Sequence, residues 1–145
     1  MEKEKTCCFS GHRPNKLPWG YNETSNDCVD MIAAELVLDL KYAYPEEEIR
    51  LIAVVPYSGQ SKRWSRNYQI RYETILEQAD EQIVLSPFYT KSCMHQRNRY
   101  MVDHSAHLIA VYGGENGGTK NTVEYAKRKG LDIVIIDPNH LRTQV

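Results

Sequence analysis

Between residues 108 and 130 the chain reads LIAVYGGENGGTKNTVEYAKRKG. Gly113, Gly114, Gly117 and Gly118 separate an apolar run from a run with helical spacing, and Thr119 follows at once. Glycines let backbone N–H groups turn toward a ligand with no Cβ in the way. A helix starting at Thr119 adds unpaired N–H groups and the positive end of its dipole. Such a turn suits an anion, phosphate above all. Neither the Walker pattern nor the dinucleotide fingerprint G-x-G-x-x-G is present, and a flexible glycine loop that holds nothing would read the same way.

Three other stretches carry polar heads of comparable use. SGHRP supplies Ser10, Gly11, His12 and Arg13. The first two permit a tight turn, His12 and Arg13 add two polar heads where a ligand would lie, and Pro14 keeps them out of a helix. A surface turn with two solvated side chains is the plain alternative. PYSGQSKRW offers Tyr57 as an aromatic wall that could stack on a base, with Ser58 and Gly59 beside it, although an ordinary strand-to-helix turn explains these residues too. CMHQRNRY sets Arg97 and Arg99 in a helix with His95 and Asn98. One arginine of that pair can face a cleft, where guanidinium matches phosphate or carboxylate with two prongs, or both can belong to a salt-bridged surface helix.

These residues need elements to position them. Apolar runs of four to seven residues lie at Thr6 to Ser10, Leu51 to Pro56, Gln82 to Ser86, His107 to Tyr112 and Ile133 to Ile136. Most are near-continuous rather than alternating, as strands buried on both faces of a parallel sheet are. Between them, residues 28 to 43 place Met31, Ala34, Leu38 and Tyr42 near one helical face, and residues 66 to 79 place Tyr68, Tyr72, Ile75 and Ala79 likewise. Residues 94 to 105 and 119 to 129 complete the helices. The alternation predicts an α/β fold: a Rossmann-like, open, mostly parallel sheet of about five strands with helices on both faces. Ligands in such sheets bind beyond the carboxyl ends of the strands, which is where the four stretches fall. Pro14 to Asp27 has no periodicity and reads as a loop.

At 145 residues the chain has the length of one domain, residues 1–145. Its 41% hydrophobic and 26% charged residues are globular values, and no window is apolar enough to span a bilayer. MEKEKTCCFSGHRP lacks the features of a signal peptide, so a cytoplasmic location and no membrane partner are expected. With 18 Lys plus Arg against 19 Asp plus Glu the net charge is −1, so no global field draws the protein onto DNA. Cys7, Cys8, Cys28 and Cys93 show no C-x-x-C spacing and read as reduced thiols, with neither disulfide nor metal expected.

CCFSGHRPNKLPWGYNE, SPFYTKSCMHQRNRYMVDHS and LIAVYGGENGGTKNTVEYA together resemble the YpsA-like family of bacterial proteins. That family is a branch of the SLOG superfamily, which also holds the Lonely Guy phosphoribohydrolases and DprA. The resemblance covers most of the chain. It implies a single Rossmann-like SLOG-type domain with a pocket for a nucleotide or nucleotide-derived ligand and no required cofactor. It puts Gly11, His12 and Arg13 on the first-strand loop and Gly113, Gly114, Gly117, Gly118 and Thr119 on the phosphate loop. Met94, His95 and Arg97 match the M-H-x-R motif of the Lonely Guy enzymes, where the arginine binds substrate or takes part in catalysis. Two departures stand out. Thr122 occupies the place of the glutamate that serves N-glycosidic hydrolysis in those enzymes, and a hydroxyl cannot act as that carboxylate does. GYNETSNDCVDMIAAE also runs straight across a region where the family carries a further helix, strand and glycine-rich turn.

The missing strand would adjoin the first one. The two strands flanking the gap would then pair directly, or another protomer would fill it, and relatives in the superfamily are often dimers or larger. The function that follows is binding or sensing of a nucleotide-like ligand. A nucleoside-monophosphate N-glycosidase and a ligand-free regulator of cell division or envelope growth are the alternatives.

Overall fold

The computed structural model describes residues 2–11 and 29–139. His12, Arg13 and Cys28 lie outside them. Along the described chain run β1 (Cys7–Gly11), α1 (Val29–Ala43), β2 (Ile52–Val55), α2 (Arg66–Gln78), β3 (Glu81–Val84), α3 (Cys93–Asp103), β4 (His107–Val111), α4 (Gly118–Lys129) and β5 (Asp132–Ile136). Each strand falls within two residues of the run that predicts it. Every pairing is parallel, as the α/β alternation requires, and the fold is Rossmann-like.

The residues divide into two compact units, Met1–Asp30 with Asn98–Val145, and Met31–Arg97. In the first, the sheet order is β1-β4-β5, with Cys7↔His107 through Gly11↔Val111 and His107↔Asp132 through Val111↔Ile136 in register. In the second, β2 pairs with β3 from Ile52↔Glu81 to Val55↔Val84.

Burial explains the first unit. Cys8, Val102, Leu108, Ala110, Val123 and Ala126 form its core, with Met101, Tyr112, Tyr125, Leu131 and Ile133 packed around them. Removing the Leu108 side chain from water alone stabilises the unit by roughly 2–3 kcal/mol. Helix α4 packs on β1, β4 and β5. It stops at Gly130, whose φ of 78° closes a left-handed cap with its N–H donated to Lys127 O, and Lys127, Arg128 and Lys129 complement the dipole at that end. Cys7, Cys8 and Cys93 are free thiols, and burial pushes the Cys8 thiol up to about 11, which keeps it protonated at neutral pH.

Two strands depart from the both-faces-buried expectation. Among the described residues β5 has a single neighbour and leaves Val134 and Ile135 58% and 46% exposed, and β3 leaves Val84 half exposed. Helix α1 buries Met31, but its apolar face ends at Leu38, since Tyr42 in the last turn is solvent-facing.

The second unit is tied together by ion pairs as well as by buried Val55 and Ile75. Arg71 of α2 grips Glu35 of α1 with two prongs, Nε donating to Oε2 at 2.9 Å and Nη2 to Oε1. An open groove of about 600 Å³ beside this pair is lined by Ile32, Leu36, Asp39, Thr74 and Gln78. Asp80, just after α2, accepts from Lys41 Nζ and from the Leu51 N–H at 2.8 Å, joining the end of α1 to the start of β2.

Those two contacts, the Lys41 hydrogen bond first, hold the Asp80 carboxyl below its ordinary range. A carboxyl with a lowered folded-state pKa stabilises fully above its unfolded value and loses that contribution as pH falls through the folded one. Asp80→Asn should therefore cost up to about 1 kcal/mol in urea unfolding at about pH 7, with the gap to the parent protein closing as pH falls below the ordinary carboxyl range of about 4. A gap independent of pH would show that the charge contributes nothing. At the end of β1, a Cβ on Gly11 would stand 2.5 Å from Val29 Cβ and Cγ1. Gly11→Ala should destabilise by about 1–3 kcal/mol, and Gly11→Ala combined with Val29→Ala should recover part of the loss.

Candidate functional site

The carboxyl ends of β4 and β5 carry the glycine loop. The β4–β5 ladder runs one residue past the strand, where the Tyr112 N–H donates to Ile136 O at 3.0 Å, so the loop starts from a fixed point. Gly114 has φ 92° and Gly117 φ 144°, conformations that side-chain-bearing residues rarely adopt. Gly117 is the N-cap of α4, and the first helical bond runs from the Asn121 N–H to its carbonyl at 3.1 Å. The N–H groups of Gly118, Thr119 and Lys120 precede that bond and belong to the turn whose donors lack helical acceptors. No acidic residue sits in this turn.

Around the loop stand side chains that strand-end reasoning did not select. A Cβ at Gly113 would meet Asn139 Nδ2 at 2.8 Å, Asp137 Oδ1 at 3.7 Å and Glu115 Oε1 at 4.0 Å, so these three polar groups converge on one glycine. Asp137 Oδ1 also accepts the Asn139 N–H at 2.9 Å. Lys120 Nζ donates to Asn116 Oδ1 at 3.1 Å and lies 4.0 Å from Glu124. Asn98 Nδ2 lies 3.9 Å from the Cβ position of Gly118. Asp137 was findable, because it directly follows a strand of the same sheet, and Glu115 stands inside the quoted loop.

The residues expected to form the site divide between the two units. Gly113, Gly114, Gly117, Gly118 and Thr119 form one continuous turn, with Thr119 buried. Ser10 is buried in β1, in the same unit. The open side of Gly11 is filled by Val29, so packing alone demands a glycine there. Thr122, at the position of the Lonely Guy glutamate, is buried and donates its hydroxyl to Gly118 O at 2.9 Å, a bond within the helix. Arg97 and Tyr57 belong to the other unit, Arg97 on α3 and Tyr57 after β2. Among the described residues no group of three or more His, Cys, Asp or Glu side chains could hold a metal ion. No helix among them is long and apolar enough to cross a membrane.

Comparison with known proteins adds a lineage. Residues 21–141 match the profile described as the YspA SLOG family. The chain is 33% identical over 114 residues to the uncharacterized SPbeta prophage-derived protein YoqJ of Bacillus subtilis (strain 168), covering 70% of this chain and 66% of that protein. It is 31% identical to a UPF0398 protein of Bacillus pumilus (strain SAFR-032), covering 77% and 61%. To the UPF0398 protein BCB4264_A1614 of Bacillus cereus (strain B4264) it is 32% identical, covering 70% and 56%. The matched region thus spans about three fifths of the length of these relatives.

The loop glycines should respond differently to a methyl group. Gly114→Ala meets no atom within 4 Å but must hold φ near 92°, and should cost about 1 kcal/mol through the backbone. Gly113→Ala keeps an ordinary φ and displaces only the Asn139 amide, the mobile end of a side chain, so it should cost less. Unfolding midpoints of the two variants side by side decide the order, and the reverse order would refute this account of the loop.

Proposed function

Because the chain belongs to the YpsA SLOG family, we propose that its glycine loop receives the phosphate of a nucleotide or nucleotide-derived ligand. The observation that supports this most is the turn from Gly113 to Thr119: two glycines with positive φ lead into a helix whose first N–H groups and dipole favour an anion, with the Lys120 ammonium in the same turn. The carboxylates of Glu115 and Asp137 repel a bare anion but accept hydrogen bonds from hydroxyls, so a ligand with a sugar beside its phosphate suits the loop better than phosphate alone.

A second reading, hydrolysis of a nucleoside monophosphate at its N-glycosidic bond, has one observation in its favour. Thr122 is committed to Gly118 O and supplies no carboxylate, but Glu115 and Asp137 bring two to the loop. The same proposal takes the protein to be a cytoplasmic homo-oligomer without need of a cofactor.

Thermal unfolding against nucleoside monophosphates, ADP-ribose and NAD tests the binding. A ligand at about a hundred times its dissociation constant adds about 2.7 kcal/mol, which raises the midpoint by several degrees. Lys120→Ala should weaken binding about tenfold through loss of a charge-assisted contact, and Gly117→Ala should abolish it by blocking the cap conformation. No shift with any of these ligands would overturn the reading. Incubation with a bound monophosphate, followed by chromatography for free base, tells sensing from cleavage, and Glu115→Gln should stop any cleavage found.

A further inference from the structure

The second unit has its own cluster at the carboxyl ends of its strands, built from aromatic rings. After β2 come Pro56, buried, and Tyr57; after β3 comes the turn from Leu85 to Thr90. The two turns are tied by the Ser58 N–H donating to Ser86 O at 2.9 Å. Across that tie Tyr57 and Tyr89 meet edge to face, with ring centroids 5.4 Å apart and planes at 79°. Trp64 and Tyr72 make a second such pair at 5.0 Å and 75°. Gln60 Nε2 donates to Tyr72 Oη at 2.8 Å, which orients the amide and leaves its carbonyl end as an acceptor.

The rings are not simply core. Tyr89 and neighbouring Phe88 are 62% and 65% exposed, although burying them would each remove much apolar surface from water. Tyr89 is met edge to face by Tyr57, so part of a flat surface is offered ready-made. Two kinds of ligand favour exposed rings: cations over their faces and planar aromatic rings stacked on them. Charge decides between the two. Burial raises the Tyr72 phenol pKa, Gln60 lowers it by hydrogen bonding, and the positive charge of Arg97 reaches the same hydroxyl and lowers it further. A positive charge that reaches this hydroxyl disfavours a cationic ligand. It welcomes a neutral or anionic one.

We infer that the Tyr57–Tyr89 corner is a stacking platform for a nucleobase. A base combines a flat π-face for Tyr89 with an edge of donors and acceptors for the oriented Gln60 amide and the tyrosine hydroxyls, a combination that a purely hydrocarbon ring lacks. The site stands on residues of the second unit alone and makes no use of the glycine loop. A ligand without phosphate therefore tests it separately.

The experiment is isothermal titration of the full chain with adenosine, guanosine, cytidine and uridine, and in parallel with ribose 5-phosphate. At least one nucleoside binds, and Tyr89→Ala weakens that binding about tenfold, within the range for loss of one base-stacking ring. Tyr89→Phe, which keeps the ring, stays within about twofold of the parent. Ribose 5-phosphate affinity is unchanged in both variants but falls in Lys120→Ala, so failure of the platform and failure of the phosphate loop are read from different titrations. Because Tyr89 is exposed, both variants fold, and an unchanged unfolding midpoint confirms it. Absence of binding by all four nucleosides, or equal affinity in the parent protein and Tyr89→Ala, would overturn the assignment.

Discussion

Close packing of α4 over β4 is the contact on which the geometry of the glycine loop rests. Ala110 and Ala126 both belong to the first unit's core and are fully buried, and small side chains at such positions let a helix lie near a sheet. The chain must then leave β4 at Val111, turn, and enter α4 at Gly118 within a short loop. Only residues free to adopt positive φ can make that turn, which accounts for Gly114 and Gly117 before any ligand is considered. Packing thus asks for the same residues, at the same place, as the proposed phosphate site would.

Electrostatics sharpen what such a loop can hold. The protein has almost no net charge, so attraction of an anion falls to the first turn of α4 and to Lys120. Opposing them are Glu115 and Asp137 beside Gly113. On the proposed reading, a loop carrying both signs would discriminate by orientation, asking for a ligand with an acceptor of N–H groups at one end and a donor to carboxylates at the other. The aromatic corner of the second unit follows the opposite principle. As a proposed stacking site, its rings would take any flat partner, and selectivity would fall to the Gln60 amide and the sign of the Arg97 charge.

Local signals in the sequence led to local features. The Val- and Ile-rich runs became the strands to within two residues, because a buried parallel strand leaves a near-continuous apolar trace. The glycine loop was legible for the same reason, as the φ values it needs exclude most other residues. What stayed hidden depends on residues far apart in the chain. Nothing near Gly11 announces that Val29 will fill the space where its Cβ would be. Periodicity likewise carries no information on which strand pairs with which, so the place of β4 between β1 and β5 was beyond its reach. Thr122 illustrates a middle case: its departure from the Lonely Guy pattern was plain, whereas its bond to Gly118 O needed coordinates.

The nesting of one unit inside the other sets a timetable for the nascent chain. β1 pairs with β4 from Cys7↔His107 onward, a closure across about 100 residues, while β2 and β3 meet across about 30. At a synthesis rate of about 5–20 residues per second, β1 waits roughly 5–20 s for its partner to leave the ribosome. Through that interval its backbone has no ladder to join and Cys8 and Phe9 have no core to enter. The unit formed by residues 31–97 can assemble meanwhile from short-range contacts, whereas the other cannot pair β1 until β4 has been made. Late closure of the first unit is therefore written into the order of the strands.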